Sequence, residues 1–210
     1  LINFFDLSNA SFSHVAFGTV NDTGGKPLKT RDGQNYKLED LFDDICNKLS
    51  INNPDQESIS TLAKSVLTYS DLVTKRTSNY KFDLDKFINI SGKSAIFLQY
   101  SQVRARRLLD QNTSKTKLQK LQIGDRSLIL EILKFNHYFN SALYSNEPHH
   151  IAEYAYSLCH EFNKFYTENK IYSDDVSEED TLHRLFIVEI FYKTILKIFE
   201  CLGMTPVKKM

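Results

Sequence analysis

A loop near the start of the chain is the first candidate for phosphate chemistry. It reads Gly25-Lys26-Pro27-Leu28-Lys29-Thr30-Arg31-Asp32-Gly33, and three cations, Lys26, Lys29 and Arg31, lie within six residues. Its glycines permit close backbone approach to a ligand. Lys supplies a point charge to a phosphate and Arg a planar fork. The G-x-x-x-x-G-K-[ST] spacing of a Walker loop is absent. The loop is either a phosphate-binding loop or a solvated basic hairpin tip.

The second candidate is an aromatic and basic stretch at residues 97–107. In a helix, four of its side chains fall on one side: Phe97, Tyr100, Arg104 and Arg107. Rings interleaved with Arg suit RNA, because rings stack on unpaired bases and guanidinium groups pair with phosphate. Residues 93–120 carry seven Lys or Arg against the single acid Asp110, a net charge of +6. The alternative is a helix with its rings in the core and its arginines solvated.

The histidines and cysteines do not indicate a metal site or an activated nucleophile. The six histidines form no H-E-x-x-H motif and no zinc spacing. The adjacent His149 and His150 follow Pro148, so we expect them to cap or cover a helix start. The three cysteines, Cys46, Cys159 and Cys201, are an odd number without metal spacing, which favours a reduced compartment. No G-x-S-x-G motif is present.

Composition limits the class of protein. The chain has 210 residues, with 26 Lys and Arg against 26 Asp and Glu, so any nucleic-acid partner must meet a local patch. This length allows one or two domains. No apolar run approaches the roughly 20 residues needed to span a bilayer. The chain opens at Leu1 without Met or a basic n-region, so we expect a piece of a longer protein and no signal peptide.

The elements that must position these residues are mainly helices. Residues 1–37 hold four of the seven glycines. They predict two short extended segments, at 15–20 and 28–30, on either side of a turn at 21–25. Apolar spacing then predicts five helices: from Leu38, over 59–70, over 128–142, over 151–165 and over about 181–202. Asp125 is the predicted N-cap of the third of these, and Gly203 is the predicted end of the last. Breaks are expected near 47–55, 110–124 and 170–180. The pattern predicts a mainly α-helical bundle preceded by a short α/β remnant.

Taken in order, the motifs resemble the C-terminal half of arginyl-tRNA synthetases, a class I family. His14-x-x-Phe17-Gly18 and the loop at 25–33 are similar to that family's signature loop. Three further motifs are similar to the family's stretch before its anticodon-binding domain: Tyr69-Ser70-Asp71-Leu72, Arg76-Thr77-Ser78 and Tyr80-x-Phe82-Asp83-x-Asp85.

The later motifs resemble the family's DALR-type anticodon-binding domain. The start of that domain is similar to Leu98-Gln99-Tyr100 with Arg104. Its later motifs are similar to Glu147-Pro148-His149, to Phe162-x-x-Phe165-Tyr166 and to the end at Leu202-Gly203…Met210. Two features depart from the family pattern. The H-I-G-H motif is absent, and Gly92-Lys93-Ser94-Ala95-Ile96-Phe97 replaces the usual G-N-T-G-P-Y.

The resemblance implies three parts. Residues 1–50 would be the C-terminal remnant of the catalytic domain with the signature loop, residues 51–90 a connecting helical segment, and residues 91–210 the helical anticodon-binding domain.

The resemblance also implies an activity and its partners. The full-length enzyme would attach arginine to tRNA-Arg with ATP and Mg²⁺, and no cofactor is expected to bind this piece tightly. The partners would be tRNA-Arg, arginine and ATP. The protein would be a cytoplasmic monomer without a membrane role. The alternative is a non-catalytic tRNA-binding or protein-interaction module, and a third possibility is a helical scaffold with no RNA role.

The resemblance assigns three sets of site residues. The implied catalytic residues are Lys26, Lys29 and Arg31, and the implied ATP-binding residues are Lys26, Lys29, Thr30, Arg31 and Gly33. The implied tRNA-binding residues are Phe97, Gln99, Tyr100, Arg104, Arg107, Tyr166 and Met210. No metal ligand is implied.

Overall fold

The computed structural model describes residues 14–21, 24–25, 37–52, 55–81, 83–116, 118 and 121–210. Its elements in chain order are β1 (Val20–Asn21), α1 (Leu38–Asn52), α2 (Gln56–Leu72), β2 (Tyr80–Lys81), α3 (Leu84–Phe87), α4 (Ala95–Asp110), a 3₁₀ turn (Ile123–Asp125), α5 (Arg126–Leu133), α6 (Phe135–Ser145), α7 (His149–Glu168) and α8 (Glu178–Leu202). The predicted fold class, a mainly helical bundle after a short α/β part, is confirmed.

Two short strands that pair in parallel form the sheet. Val20 of β1 lies opposite Tyr80 of β2, and Asn21 lies opposite Lys81. Parallel strands need a long crossover, which here includes α1 and α2. The predicted second extended segment at 28–30 lies outside the described residues.

Gly18 occupies a position beside β1 where a side chain does not fit. Its N–H donates to the carbonyl of Arg76 at 2.7 Å. A Cβ at this position would lie 2.3 Å from the carbonyl oxygen of Ser78, closer than real Cβ atoms come to other groups. Gly18 of the Phe17-Gly18 pair therefore has a structural reason, because only glycine lets the two backbone segments approach this closely.

Arg76 joins the short α/β part to the helical bundle. Its guanidinium group donates to the carbonyl of Ala16, to the carbonyl of Asn146 at 3.4 Å and to Oε1 of Glu147 at 3.3 Å. Asn146 ends α6 in the left-handed conformation, with φ of 54°. Three segments that are far apart in the sequence thus meet at one side chain.

The core of the bundle lies between α8 and its neighbours α4 and α7. The rings of Phe162 and Phe191 stack there with centroids 3.9 Å apart and planes within 4° of parallel. Both are buried, and such rings contribute large apolar areas to a core. Tyr69 of α2 joins this core, and its hydroxyl donates to the carbonyl of Ala152 at 3.0 Å. The apolar helix α8 is therefore central, as predicted.

The helix predicted over 128–142 is wrong in one respect, because the structure divides it at Lys134 into α5 and α6. The hydroxyl of Tyr154 donates to the carbonyls of Glu131 at 2.9 Å and Ile132 at 3.3 Å. A side chain that takes carbonyls from the helical ladder bends or ends a helix. The apolar spacing did not show this break, because residues on both sides of it, Ile132 and Phe135, pack against the core, although Phe139 of the same pattern is exposed.

Asp125 precedes α5, as predicted, but its carboxylate does not cap that helix. It accepts a hydrogen bond from the backbone N–H of Gln122 at 2.6 Å, and its Oδ2 lies 2.9 Å from Nε2 of His183. Both Asp125 and His183 are buried. The carboxylate therefore connects the start of α5 to α8.

The last helix begins three residues before the predicted Thr181. α8 starts at Glu178 because the side chain of Ser177 accepts a hydrogen bond from the backbone N–H of Asp180 at 3.1 Å, an N-cap. The helix ends at Gly203, which is left-handed with φ of 67°, so the predicted stop is confirmed. Of the helices described, none has the length and apolar character needed to cross a membrane.

Candidate nucleic-acid interface

Helix α4 has the aromatic and basic side that its sequence predicted. It begins at Ala95 because Ser94 accepts a hydrogen bond from the backbone N–H of Phe97 at 3.1 Å. One side of the helix, which includes Leu98 and Ala105, is buried in the bundle. The other side keeps four partly or fully exposed side chains: Phe97, Tyr100, Arg104 and Arg107.

Three side chains from α4 and α7 form what we call the tyrosine–arginine cluster: Tyr100, Arg104 and Tyr166. The guanidinium carbon of Arg104 lies 4.5 Å from the centroid of each tyrosine ring. Its Nη2 also donates to the hydroxyl of Tyr100 at 2.6 Å. A cation over an aromatic face is attracted by the negative centre of the ring. The cluster therefore joins the two helices, while Tyr166 keeps 37% of its surface exposed.

Asn163 completes this arrangement, and sequence reasoning missed it. Its Oδ1 accepts a hydrogen bond from Nη1 of Arg104. Its Nδ2 donates to the hydroxyl of Ser101 at 2.7 Å and to the carbonyl of Cys159 at 2.8 Å. Partners on both helices thus determine the orientation of the amide. The available signal was its position three residues before Tyr166, which places both side chains on one side of α7.

Phe97 is half-buried against a second aromatic residue that sequence reasoning missed. Its ring packs on Tyr156 of α7 with centroids 5.4 Å apart and a 49° interplanar angle. Lys93 lies 5.8 Å from the centroid of Tyr156 and pairs with Glu153 at 3.2 Å. Stacking of Phe97 on a base stays a prediction, which now applies only to the exposed part of its ring.

Gln99 lies on the buried side of α4 and has no exposed surface. Its Oε1 accepts a hydrogen bond from the N–H of Val207 at 3.1 Å, and its Nε2 donates to the carbonyl of Thr205 at 2.8 Å. Gln102 donates to the carbonyl of Val207 at 3.3 Å. A fully buried side chain does not reach an RNA base in this structure. We therefore assign Gln99 to holding the C-terminal segment, residues 204–210, in place of the RNA contact that the resemblance implied.

The same segment brings together two residues of the proposed RNA surface. Nη2 of Arg107 donates to the backbone oxygen of Met210 at 3.2 Å. Met210 is half-buried and packs against the hydrophobic core, whereas Arg107 is exposed. Met210 therefore lies beside the side of α4 that carries the cluster.

The positive field of residues 93–120 is weaker than their composition indicates. Lys93 pairs with Glu153 of α7, an acid outside the segment that its net charge of +6 does not include. Nε of Arg106 lies 3.4 Å from a carboxylate oxygen of Asp110, which that net charge already includes. Exposed ion pairs of this kind contribute little to stability but neutralise each other at a distance. Lys117 and Lys120 lie outside the described residues. Within the described part of this segment, Arg107 is the exposed cation on this side of α4, and Lys115 is exposed in the loop after the helix.

The cysteine thiols are not activated. Burial is the largest cause that raises the pKa of Cys46, Cys159 and Cys201 above the ordinary value, so each thiol stays protonated near neutral pH. Within the described ranges, no group of three or more His, Cys, Asp or Glu side chains comes together that could hold a metal ion.

The residues predicted for ATP binding and catalysis cannot be placed beside this interface. They lie outside the described residues: Lys26, Lys29, Thr30, Arg31 and Gly33. Their roles therefore stay predictions.

Comparison with known families assigns this interface to a class of protein. The DALR anticodon binding domain family matches residues 98–210, which include α4, α7 and the tyrosine–arginine cluster. The family described as "tRNA synthetases class I (R), catalytic domain" matches residues 1–84. Because the first match covers more than half of the chain, the chain belongs to the DALR anticodon-binding domain family.

Individual relatives agree with this assignment. The arginine–tRNA ligase of Acanthamoeba polyphaga mimivirus is 30% identical, over 97% of this chain and 37% of its own length. The corresponding protein of Chlamydia pneumoniae is 31% identical, over 97% of this chain and 38% of its own length. The chain thus spans well under half the length of these curated relatives. The resemblance to arginyl-tRNA synthetases drawn from the motifs is confirmed.

A solved structure shows the same fold. The chain superimposes on the arginyl-tRNA synthetase of Thermus thermophilus with a TM-score of 0.84, covering 94% of this chain and 35% of that chain. Sequence identity over this match is 19%, so this likeness shows the fold alone.

Proposed function

We propose that the chain is the C-terminal part of an arginine–tRNA ligase, and that its helical domain binds the anticodon stem-loop of tRNA-Arg. The observation that carries this proposal is the tyrosine–arginine cluster, which lies within the family match and keeps both of its rings partly exposed. Single-stranded RNA loops are recognised by stacking of unpaired bases on such rings.

The proposed RNA contacts follow from exposure. Tyr100 and Tyr166 would stack on bases, and Arg107 would pair with phosphate because its guanidinium group is exposed. Met210 would add a polarisable apolar contact beside them. Phe97 would contribute the edge of its ring that Tyr156 leaves uncovered.

On the catalytic side, we propose that Lys26, Lys29 and Arg31 neutralise the charge that develops on the triphosphate when arginine is activated. Positioned cations that act mainly on transition-state charge give large rate effects. Thr30 would donate a hydrogen bond to a phosphate oxygen, and Gly33 would let the backbone approach it. Mg²⁺ would supply further charge neutralisation on ATP, and no residue of this chain is assigned to it.

The test of the RNA proposal is binding of the 210-residue chain to a synthetic anticodon stem-loop of tRNA-Arg, followed over a range of salt concentrations. We expect weak binding that declines as salt rises, because cations on the protein displace counterions from the RNA. A stem-loop of the same stem with an unrelated loop is the control. Equal binding of the two RNAs, or no binding of either at low salt, would contradict the proposal.

The second candidate is a non-catalytic tRNA-binding or interaction module, favoured by a helical bundle whose buried residues form one core from Ile45 to Val207. A longer protein with this sequence at its C-terminal end distinguishes the two candidates. The ligase predicts ATP–pyrophosphate exchange with arginine and tRNA in that protein, whereas the module predicts RNA binding alone. We further propose that the protein acts as a cytoplasmic monomer.

A further inference from the structure

Arg104 differs from an arginine that contacts RNA, because its terminal nitrogens donate hydrogen bonds to other side chains of the protein. One terminal nitrogen donates to the hydroxyl of Tyr100, and the other donates to the side chain of Asn163. The guanidinium carbon also contacts both rings of the cluster. A guanidinium group has five N–H donors, and each terminal nitrogen of Arg104 already uses one of them within the protein. Arg104 is therefore bound from several sides within the protein.

The side chain of Asn163 is also held by hydrogen bonds within the protein. Its amide nitrogen donates to Ser101 on α4 and to the carbonyl of Cys159 one turn back on α7. Ser101 and Cys159 have no exposed surface. Because the nitrogen is occupied by these acceptors, the amide oxygen must face Arg104, and the plane of the guanidinium group is set by the buried layer beneath it.

From this geometry we propose that Asn163 is a positioning residue. It holds Arg104 in place as a bridge between Tyr100 and Tyr166. The two rings, and not the guanidinium group, then receive unpaired bases. The proposal rests on the proposed function and deepens it, because it divides the cluster into groups that touch RNA and groups that act through them. Arg gives the bridge a flat, delocalised cation, which Lys does not replace.

The first experiment compares Arg104→Lys, Arg104→Ala and Arg107→Ala in the 210-residue chain. Both Arg104 variants should lose affinity for the stem-loop by roughly three- to ten-fold, the range expected when one cation–ring contact is lost. The slope of log affinity against log salt should stay at the wild-type value for both. Arg107→Ala is the matched control on the same helix, and its slope should flatten by about one ion.

The second experiment acts on Asn163 itself. Asn163→Leu removes the acceptor for Arg104, whereas Asn163→Asp keeps an oxygen there. We expect Asn163→Leu to bind as weakly as Arg104→Lys, and Asn163→Asp to bind more tightly than Asn163→Leu. In a Tyr166→Ala background the loss caused by Asn163→Leu should shrink, because one of the two rings that it positions is gone. Thr167→Val, one turn further along α7, is the control and should bind like wild type.

The outcomes distinguish the positioning role of Asn163 from the proposed function on which it rests. If the wild-type chain does not bind the stem-loop, the proposed function fails. If wild type binds but Arg104→Lys keeps full affinity, or Arg104→Ala flattens the salt slope as Arg107→Ala does, Arg104 is a phosphate contact and the positioning role is overturned. Melting temperatures are measured for every variant. If Asn163→Leu does not fold, Asn163→Asp tests the role of Asn163 and Arg104→Lys still tests the bridge.

Discussion

The backbone N–H of Val207 donates to Oε1 of Gln99 at 3.1 Å, which connects the C-terminal segment to the buried side of α4. The same side chain donates from Nε2 to the carbonyl of Thr205 and to the hydroxyl of Ser65 on α2. One buried amide therefore satisfies three polar groups on two other segments, α2 and the C-terminal segment. A buried polar group that loses its partner costs its full desolvation free energy.

Gln99→Met, which keeps the size of the side chain, should lower the free energy of unfolding by about 1–3 kcal/mol, because the partners of the amide stay buried and unpaired. Urea denaturation measures this change. Gln111→Met, at the exposed end of α4, is the control and should stay within about 0.5 kcal/mol of wild type. Equal stability of the two variants would show that the C-terminal segment does not depend on Gln99.

Tyr100→Ala should weaken binding of the anticodon stem-loop by roughly 1–3 kcal/mol, the contribution of one ring stacked on a base. The measurement is titration of the RNA, with the melting temperature recorded for the same sample. Tyr144→Ala is a suitable control, because Tyr144 lies on α6 outside the cluster and is highly exposed. If the affinity of Tyr100→Ala falls only in proportion to the unfolded fraction, the ring serves the core and not the RNA.

Lys29→Ala, made in a longer protein that contains the whole catalytic domain, should lower kcat by roughly ten- to a thousand-fold and raise KM for arginine much less. A cation that serves developing charge acts mainly in the transition state. Steady-state aminoacylation kinetics give both constants, and Lys37→Ala, outside the loop, is the control. An unchanged kcat would favour the alternative in which the loop is a solvated hairpin tip.

The hydrogen bonds of Glu189 in α8 predict that the free energy of unfolding depends slightly on pH in the acidic range. Its hydrogen bond from Lys193, and then that from Thr116 at 2.5 Å, hold the pKa of its carboxyl group below the ordinary 4.5. Since the pKa is lower in the folded state, the stabilisation is complete above pH 4.5 and is lost as the pH falls through the folded value. Glu189→Gln should therefore lower the free energy of unfolding by less than about 1 kcal/mol at pH 7, because the carboxylate is partly solvated.

Urea unfolding at several pH values tests this dependence. The difference between wild type and Glu189→Gln should close once the pH is well below 4.5, where both side chains are uncharged. A difference that stays constant across the range would mean that the charge of Glu189 does not contribute.

The sequence by itself determined which residues share a side of each helix. The spacing of Phe97, Tyr100, Arg104 and Arg107 predicted one common side of α4, and the structure has it. The C-terminal end of the last helix was also determined locally, because Gly203 stops α8 through its own backbone conformation. These features depend on neighbours a few residues away, so the local sequence contains the information.

Only the tertiary structure decided which of two adjacent residues faces solvent. Gln99 and Tyr100 are neighbours in one motif, yet Gln99 is buried by Val207 and Tyr100 remains half-exposed beside Arg104. The role of Asn163 likewise depends on α7 lying against α4, since its partner Arg104 is 59 positions away. Spacing along one helix defines a side, but the packing of other helices decides whether that side meets core, partner or water, because burial depends on contacts between segments that are distant in the sequence.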